Sequence, residues 1–430
     1  MHTYKIMDFT RQKYLLVTLV SCMISVTIFL SSCNNDDNDV ATYQELKIED
    51  ARITKSYHDD KNGTTIFNIE YPSQDPYGNP VTLSGIFAIG DEVTTKHLKG
   101  TLLYNRFTIN REDQCPSRGN ITVVSKLSGI NLVTIAADGY GFGSTNDKNQ
   151  PYCISRANAQ ASVDALIAVH DILKKNGYTL DDYLFNMGYS QGGQTAIGVV
   201  RLCAEKYPDI KITHTIAGGG PYDMAETYRR LVELNTTTMP STVISSLVAF
   251  NEFYNIGAEY SDLFLDPTCD RIEPYLLSKK YSIDVLNKNL TNSQTISDWF
   301  TPAMCDFNSD LSKKFIVALE DDNLTKGWTP HGDERIILVQ STLDDSVPVE
   351  NTEKLADFLK DNGLNIITSN SNAKYNPGTV FVYKKDFGDS FGGPHYAAAI
   401  SFVEEFISAM RHYLNVKGIW FTLENLDELY

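Results

Sequence analysis

Apolar positions along the chain gather into short runs separated by polar turns containing Gly, Pro and Asp, and several of these runs alternate with longer stretches of helical spacing. Residues 64–71 (TTIFNIEY) and 81–89 (VTLSGIFAI) read as strands joined by a turn. Residues 100–104, 131–136, 183–187, 210–217, 335–339 and 380–383 are short apolar runs of the kind buried on both faces of a sheet. Between them, a period near 3.6 predicts helices over 157–175, 191–206, 352–362 and 396–410. Such alternation predicts an α/β fold, a mostly parallel sheet flanked by helices. It breaks from about 221 to 330, where the sequence is polar-aromatic and helical in character. The expected organisation is a core in two parts (61–220 and 331–430) interrupted by a helical cap insertion (221–330). Insertions of that size sit on loops at the strand C-terminal ends, where open α/β sheets bind ligands. No fixed-period repeat is visible, which argues against a propeller or solenoid.

The first residues have a different character. Lys5, Arg11 and Lys13 make a basic start, and an uncharged apolar run follows from Tyr14 to Leu30. Leu30-Ser31-Ser32-Cys33 resembles a bacterial lipobox, so residues 1–32 read as a lipoprotein signal peptide and Cys33 as the lipidated new N-terminus. Residues 33–60 then form an acidic tether and N-terminal segment. Cleavage at the second match, Cys22, would leave an apolar stub, and a transmembrane anchor would sit at the short end of the spanning range. The expected location is the cell envelope, at the outer membrane. The acidic run after Cys33 also resembles surface-export signals of some Gram-negative lipoproteins. Export makes disulfides possible, and Cys115 with Cys153 and Cys269 with Cys305 are the expected pairs, with Cys203 a buried free thiol.

The net charge of −17 across 430 residues, without a dense basic run, argues against a nucleic-acid partner. HxxxH and CxxC spacings are absent, so neither metal nor cofactor is expected.

The chemistry begins at Gly188-Tyr189-Ser190-Gln191-Gly192-Gly193, placed between a buried strand and a helix. This is the nucleophile-elbow pattern. A serine on so tight a turn needs glycines on either side, and the turn aims the Gln191 N–H at a developing oxyanion. A serine hydroxyl needs a base and the base needs an orienting carboxylate, here expected in the order Ser, Asp, His. The strand over 335–339 leads to an acidic loop carrying Asp344 and Asp345. His395 lies in GGPHYAA after the last strand, whereas His412 falls within a helix. His58, His97, His170, His214 and His331 read as structural or surface residues. A second oxyanion N–H is expected after GTLLY, from Arg106 or Phe107, although Arg106 could instead bind a substrate carboxylate.

Together YPSQDPYGNPVTLSG, ADGYGFGST, GYSQGGQTA, GWTP before STLDDSVP, and GGPHYAA resemble the secretory-lipase-like branch of the α/β-hydrolases, over roughly residues 60–410. The family pattern of an Asp followed by two residues and then Val-Pro selects Asp344 over Asp345. Many relatives carry His-Gly where this chain has Asn105-Arg106, which leaves the second donor open. The resemblance implies the α/β-hydrolase fold with a helical cap, Ser190, Asp344 and His395 as catalytic triad, and hydrolysis of small-molecule, lipid or glycan esters. An exported serine peptidase of the aminopeptidase type and a non-catalytic binding lipoprotein are the competing readings. Cap aromatics Tyr254, Tyr260, Phe264, Trp299 and Phe300 are expected mostly in the cap's own core.

Overall fold

The computed structural model describes residues 51–119, 122–388 and 393–414. The signal peptide, Cys33, most of the segment 33–60 and Phe391-Gly392 of the His395 loop lie outside the described residues.

The sheet opens with β1 (Arg52–Asp59), β2 (Thr64–Gln74) and β3 (Pro80–Gly90). It continues through β5 (Thr101–Asn105), β6 (Val133–Ala137), β8 (Leu184–Tyr189) and β9 (His214–Gly218). Its far side is β10 (Arg335–Ser341), β11 (Asn365–Ile367) and β12 (Thr379–Lys385). Their spatial order is β1-β2-β3-β6-β5-β8-β9-β10-β12-β11, while β4 (His97–Leu98) and β7 (Thr179–Leu180) form a separate small ladder. β1, β2 and β3 run antiparallel to their neighbours, and every pairing from β6 to β11 is parallel. β6, β8 and β9 are buried along their whole length, as a strand covered on both faces must be. β1 escapes the hydropathy reading because it is a half-exposed edge strand, with sequence RITKSYHD.

Helices cover both faces. α1 (Thr122–Ser128) and α8 (Pro394–Leu414) pack on one side, over Leu102, Phe185, Ile216, Ile337 and Phe381. On the other lie α2 (Ser155–Lys175), α3 (Gln191–Lys206) and, after the insertion, α7 (Glu350–Asp361). β5 connects through α1 to β6, whereas β8 connects through α3 to β9 on its opposite side. The strand order therefore reverses between β5 and β8. Divergence of the loops there opens a crevice at the strand C-terminal ends, the usual ligand position in such sheets.

Between β9 and β10 the described chain is helical apart from two isolated bridges. Its main members are α4 (Met224–Leu234), α5 (Pro240–Phe253) and α6 (Asp310–Asp321). Phe250, Phe264, Trp299, Phe300 and Phe315 form its own apolar core, with Tyr254 and Tyr260 packed against it. This is the helical cap of an α/β-hydrolase fold. Polar contacts pin it to the core. The Asn351 amide accepts from the Asp223 N–H at 2.8 Å and donates to Thr227 at 2.9 Å. Asp322, at the cap's exit, accepts from the Ser155 and Arg156 N–H groups at 2.5 and 3.2 Å, capping the otherwise unsatisfied start of α2.

The expected disulfides are not formed: Cys115, Cys153, Cys203, Cys269 and Cys305 are all free thiols. Cys115 packs with Ile109 and Phe142, while Cys153 belongs to the cap-side core, so proximity in sequence did not bring the first pair together. Cys269 and Cys305 flank the cap core without bonding, and Cys203 is buried.

α8, which carries His395, is held from behind by an ion pair. Lys374 and Glu405 are both buried, and their pairing is supplemented by Asn370. Removing one partner strands a charge in an apolar surround, which costs much more than the pair contributes. Lys374→Met is expected to destabilise the protein by about 3 kcal/mol or more. The double variant Lys374→Met/Glu405→Leu should recover most of that loss, as measured by urea unfolding.

Candidate active site

The elbow between β8 and α3 is built from backbone contacts too close for any side chain. A Cβ on Gly188 would lie 2.1 Å from the Gly192 carbonyl oxygen, and one on Gly192 would lie 2.2 Å from that of Asn105. One on Gly193 would meet the Gly218 carbonyl of β9 at 2.4 Å. The compression forces Ser190 to φ 56° and ψ −122°, and its N–H donates to Gly218 O at 2.8 Å. A non-glycine residue in such a conformation costs about 1–3 kcal/mol, which the surrounding contacts must offset. The strain lifts Ser190 out of the strand line at the positive end of α3.

His395 and Asp344 meet it there. The Ser190 hydroxyl lies 3.0 Å from His395 Nε2, and His395 Nδ1 lies 2.6 Å from Asp344 Oδ2. His395 is the second residue of α8, where Pro394 supplies the fixed φ favoured at a helix start. The helix therefore begins earlier than its apolar pattern indicated. Asp344 sits in the loop after β10 and is buried. Its Oδ1 accepts from the N–H groups of Ser346 and Val347 at 3.0 and 2.8 Å, and its Oδ2 also accepts from the Gln340 amide at 2.9 Å. Asp345 turns instead toward the cap, accepting from Thr238 at 3.1 Å. Of the two neighbours, Asp344 is the one in hydrogen-bond contact with His395.

Burial by itself disfavours a charged His395 ring. The charge and hydrogen bond of Asp344, with the field of Asp345, outweigh it and hold the imidazole pKa above its ordinary value. The His395 carbonyl accepts from the Tyr189 hydroxyl at 2.5 Å, so the residue preceding the serine also fixes the histidine backbone. Tyr189 carried no such signal in the sequence, since its partner is 206 residues away.

Gln191 opens α3, next to the loop that follows β5. Its side-chain oxygen accepts from Arg106 Nη1 at 3.3 Å. Arg106 Nε donates to Asp138 O at 2.9 Å, and its guanidinium lies 4.9 Å from the centre of the Phe142 ring. The Arg106 side chain is thus engaged in bracing the elbow. Asp138, from ADGYGFGST, is itself buried and accepts from Ser84 and Ser117 hydroxyls at 2.6 and 2.5 Å.

A narrow pocket, partly open to solvent, runs from this point into the cap. Ser190, Gln191 and His395 line it on the core side, and Met224, Leu231, Met239, Val243, Leu247 and Leu319 on the cap side. Cys153 also faces it, but burial pushes its thiol up to about 12, so little thiolate exists there to compete as nucleophile. The other histidines lie elsewhere. Burial lowers His170 to about 4 and His214 to about 3, leaving both neutral, and His412 stacks on Tyr375 with ring centres 3.9 Å apart. Among the described residues no group of three or more His, Cys, Asp or Glu side chains is placed to hold a metal ion, and no helix is long and apolar enough to cross a membrane.

The same architecture recurs in solved structures. The rice cell wall degrading esterase LipA from Xanthomonas oryzae superposes with a TM-score of 0.66 at 23% identity, over 84% of this chain and 96% of that one. Candida antarctica lipase A superposes with a TM-score of 0.55 at 10% identity, over 80% of this chain and 77% of that one. At these identities the likeness is one of fold. No curated protein matches the sequence. The model of the secretory lipase family matches residues 121–380, more than half of the chain. That span runs from the start of α1 into β12, and holds Ser190, Asp344 and the whole cap. The chain belongs to the secretory lipase family, a lipase- or esterase-type hydrolase of exported kind.

Proposed function

We propose that the protein is a serine carboxylic ester hydrolase working through an acyl-enzyme. The single observation that carries this reading is the continuous chain of hydrogen bonds from Ser190 through His395 to Asp344 at the mouth of an apolar cavity. His395 Nε2 takes the Ser190 proton as Oγ attacks the ester carbonyl. The Asp344 carboxylate, accepting from Nδ1–H, keeps the tautomer that leaves Nε2 free to accept and stabilises the imidazolium. Charge then builds on the carbonyl oxygen, where the Gln191 N–H at the start of α3 and the main-chain N–H of Arg106 in the loop after β5 serve as donors. The imidazolium gives its proton to the leaving alcohol. Water, activated by the same base, releases the acid and restores Ser190.

The cap cavity accepts the acyl group. Its walls offer apolar contacts and few polar ones, so each added methylene that enters it contributes about 0.8 kcal/mol of burial. The lipobox at Cys33 supports attachment to a membrane of the cell envelope through a lipid anchor, with the acidic segment as a tether.

A panel spanning acetyl to long-chain esters, acetylated xylan and aminoacyl anilides tests the class, with Ser190→Ala as control. Ester turnover that disappears in Ser190→Ala is expected. Turnover of the anilides alone would replace the reading with a peptidase. Asp344→Asn should lower kcat by about 10⁴-fold by reversing the His395 tautomer, whereas Asp345→Asn should stay within a few-fold of the parent.

The base works only when His395 is neutral, and its pKa is raised. Activity is therefore low on the acid side, and kcat/KM should climb with pH through a limb lying above the ordinary imidazole value of about 6.5. A pH–rate profile on a soluble ester checks it.

Filling the cavity from α5 with Leu247→Trp should depress long-chain esters at least tenfold relative to acetyl esters, a ratio read from kcat/KM on both.

A further inference from the structure

We infer that Gln340 is a positioning residue of the hydrolytic site, the fourth member of the hydrogen-bonded series Ser190–His395–Asp344–Gln340. The inference rests on the triad reading above and adds to it a residue that touches no substrate.

Gln340 is the penultimate residue of β10 and is fully buried. Its amide orientation is unambiguous from its neighbours. Nε2 donates to Asp344 Oδ2 at 2.9 Å and to the Val347 carbonyl at 3.0 Å, while Oε1 accepts from the Thr352 hydroxyl at 3.2 Å. A flipped amide would set its oxygen against a carboxylate and a carbonyl, both acceptors, so the alternative is excluded electrostatically. Each polar atom of the side chain is committed, and the side chain has one arrangement.

This completes the coordination of Asp344. Oδ1 receives two main-chain N–H groups, and Oδ2 receives His395 Nδ1–H together with Gln340 Nε2–H. Two donors on each oxygen saturate the acceptor capacity of a carboxylate. A carboxylate so held cannot rotate about its Cβ–Cγ bond without breaking charge-assisted bonds in a dry surround, where each is strongest. The plane that His395 sees is fixed, and the imidazole is aimed at Ser190. Gln340 also shares the charge on Oδ2. Without it, that oxygen would concentrate its charge on His395 and favour the imidazolium, the form unable to accept the Ser190 proton.

The test is the pH dependence of kcat/KM for a short-chain ester in Gln340→Met, which keeps length and bulk but lacks the donor. The expected result is a kcat lower by about 10- to 100-fold, as for a misaimed catalytic group. KM should be nearly unchanged, and the acid limb should move upward by about half a pH unit or more. A role limited to packing would lower the melting temperature and leave the limb in place. A limb unmoved or shifted downward overturns the inference. Thr352→Val provides a second route if Gln340→Met does not fold. It leaves Gln340 present but frees its amide, and should move the limb in the same direction by a smaller amount; unchanged kcat and limb there also overturn it. Ser190→Ala measured alongside separates the two readings. Ester turnover surviving in that variant sinks the triad itself, whereas turnover lost there with an unmoved limb in Gln340→Met sinks only the role of Gln340.

Discussion

The 2.6 Å contact between His395 and Asp344 is the constraint on which the site depends, because it joins side chains from two segments far apart in the sequence. Asp344 comes from the end of β10, and His395 from the start of α8, 51 residues later. Both must arrive over a serine that was placed 205 residues before the histidine. A buried carboxylate next to an imidazole is favourable only when its remaining lone pairs are satisfied. Ser346, Val347 and Gln340 meet that condition for Asp344. On the other side, Tyr189 holds the His395 backbone, and the Lys374–Glu405 pair anchors α8. These buried polar contacts together hold one imidazole still.

The cap changes what that imidazole can serve. It brings its own apolar core, with Trp299, Phe264 and Phe300 inside it, and so packs without lending those aromatics to the site. The cap side chains lining the pocket beside Ser190 are mainly aliphatic residues and methionines, with Thr227, Tyr228, Thr242 and Ser246 among them. Flexible, weakly directional walls suit an acyl chain better than a rigid polar group. Asn351, Lys354 and Asp322 fasten the cap at its entry and exit, which keeps the cavity registered with the elbow.

Much of this was legible because the information is local. The glycines of GYSQGG encode a backbone compression confined to a few residues, and the parallel strands announce themselves as short apolar runs. Order along the chain then picked out His395. Asp344 and Asp345 are different: each is a carboxylate in the same loop, and they are separated by partners that the fold assembles, His395, Ser346, Val347 and Gln340 on Asp344 and the Thr238 hydroxyl of the cap on Asp345. Gln340 was invisible because it sits in an otherwise apolar strand and its partners are assembled by the turn after it. β1 was missed as a polar edge strand, and the cysteine pairing failed because Cys115 and Cys153 end in different packing clusters. What sequence pattern could not supply, in each case, was a contact made by the tertiary fold.

The most direct measurement of the central claim is intact-mass and peptide mapping after treatment with an active-site fluorophosphonate. The account predicts one phosphonyl group per chain, located on the peptide containing Ser190, with loss of ester turnover in proportion to labelling. Absence of an adduct, or an adduct on another residue with turnover lost, would contradict it.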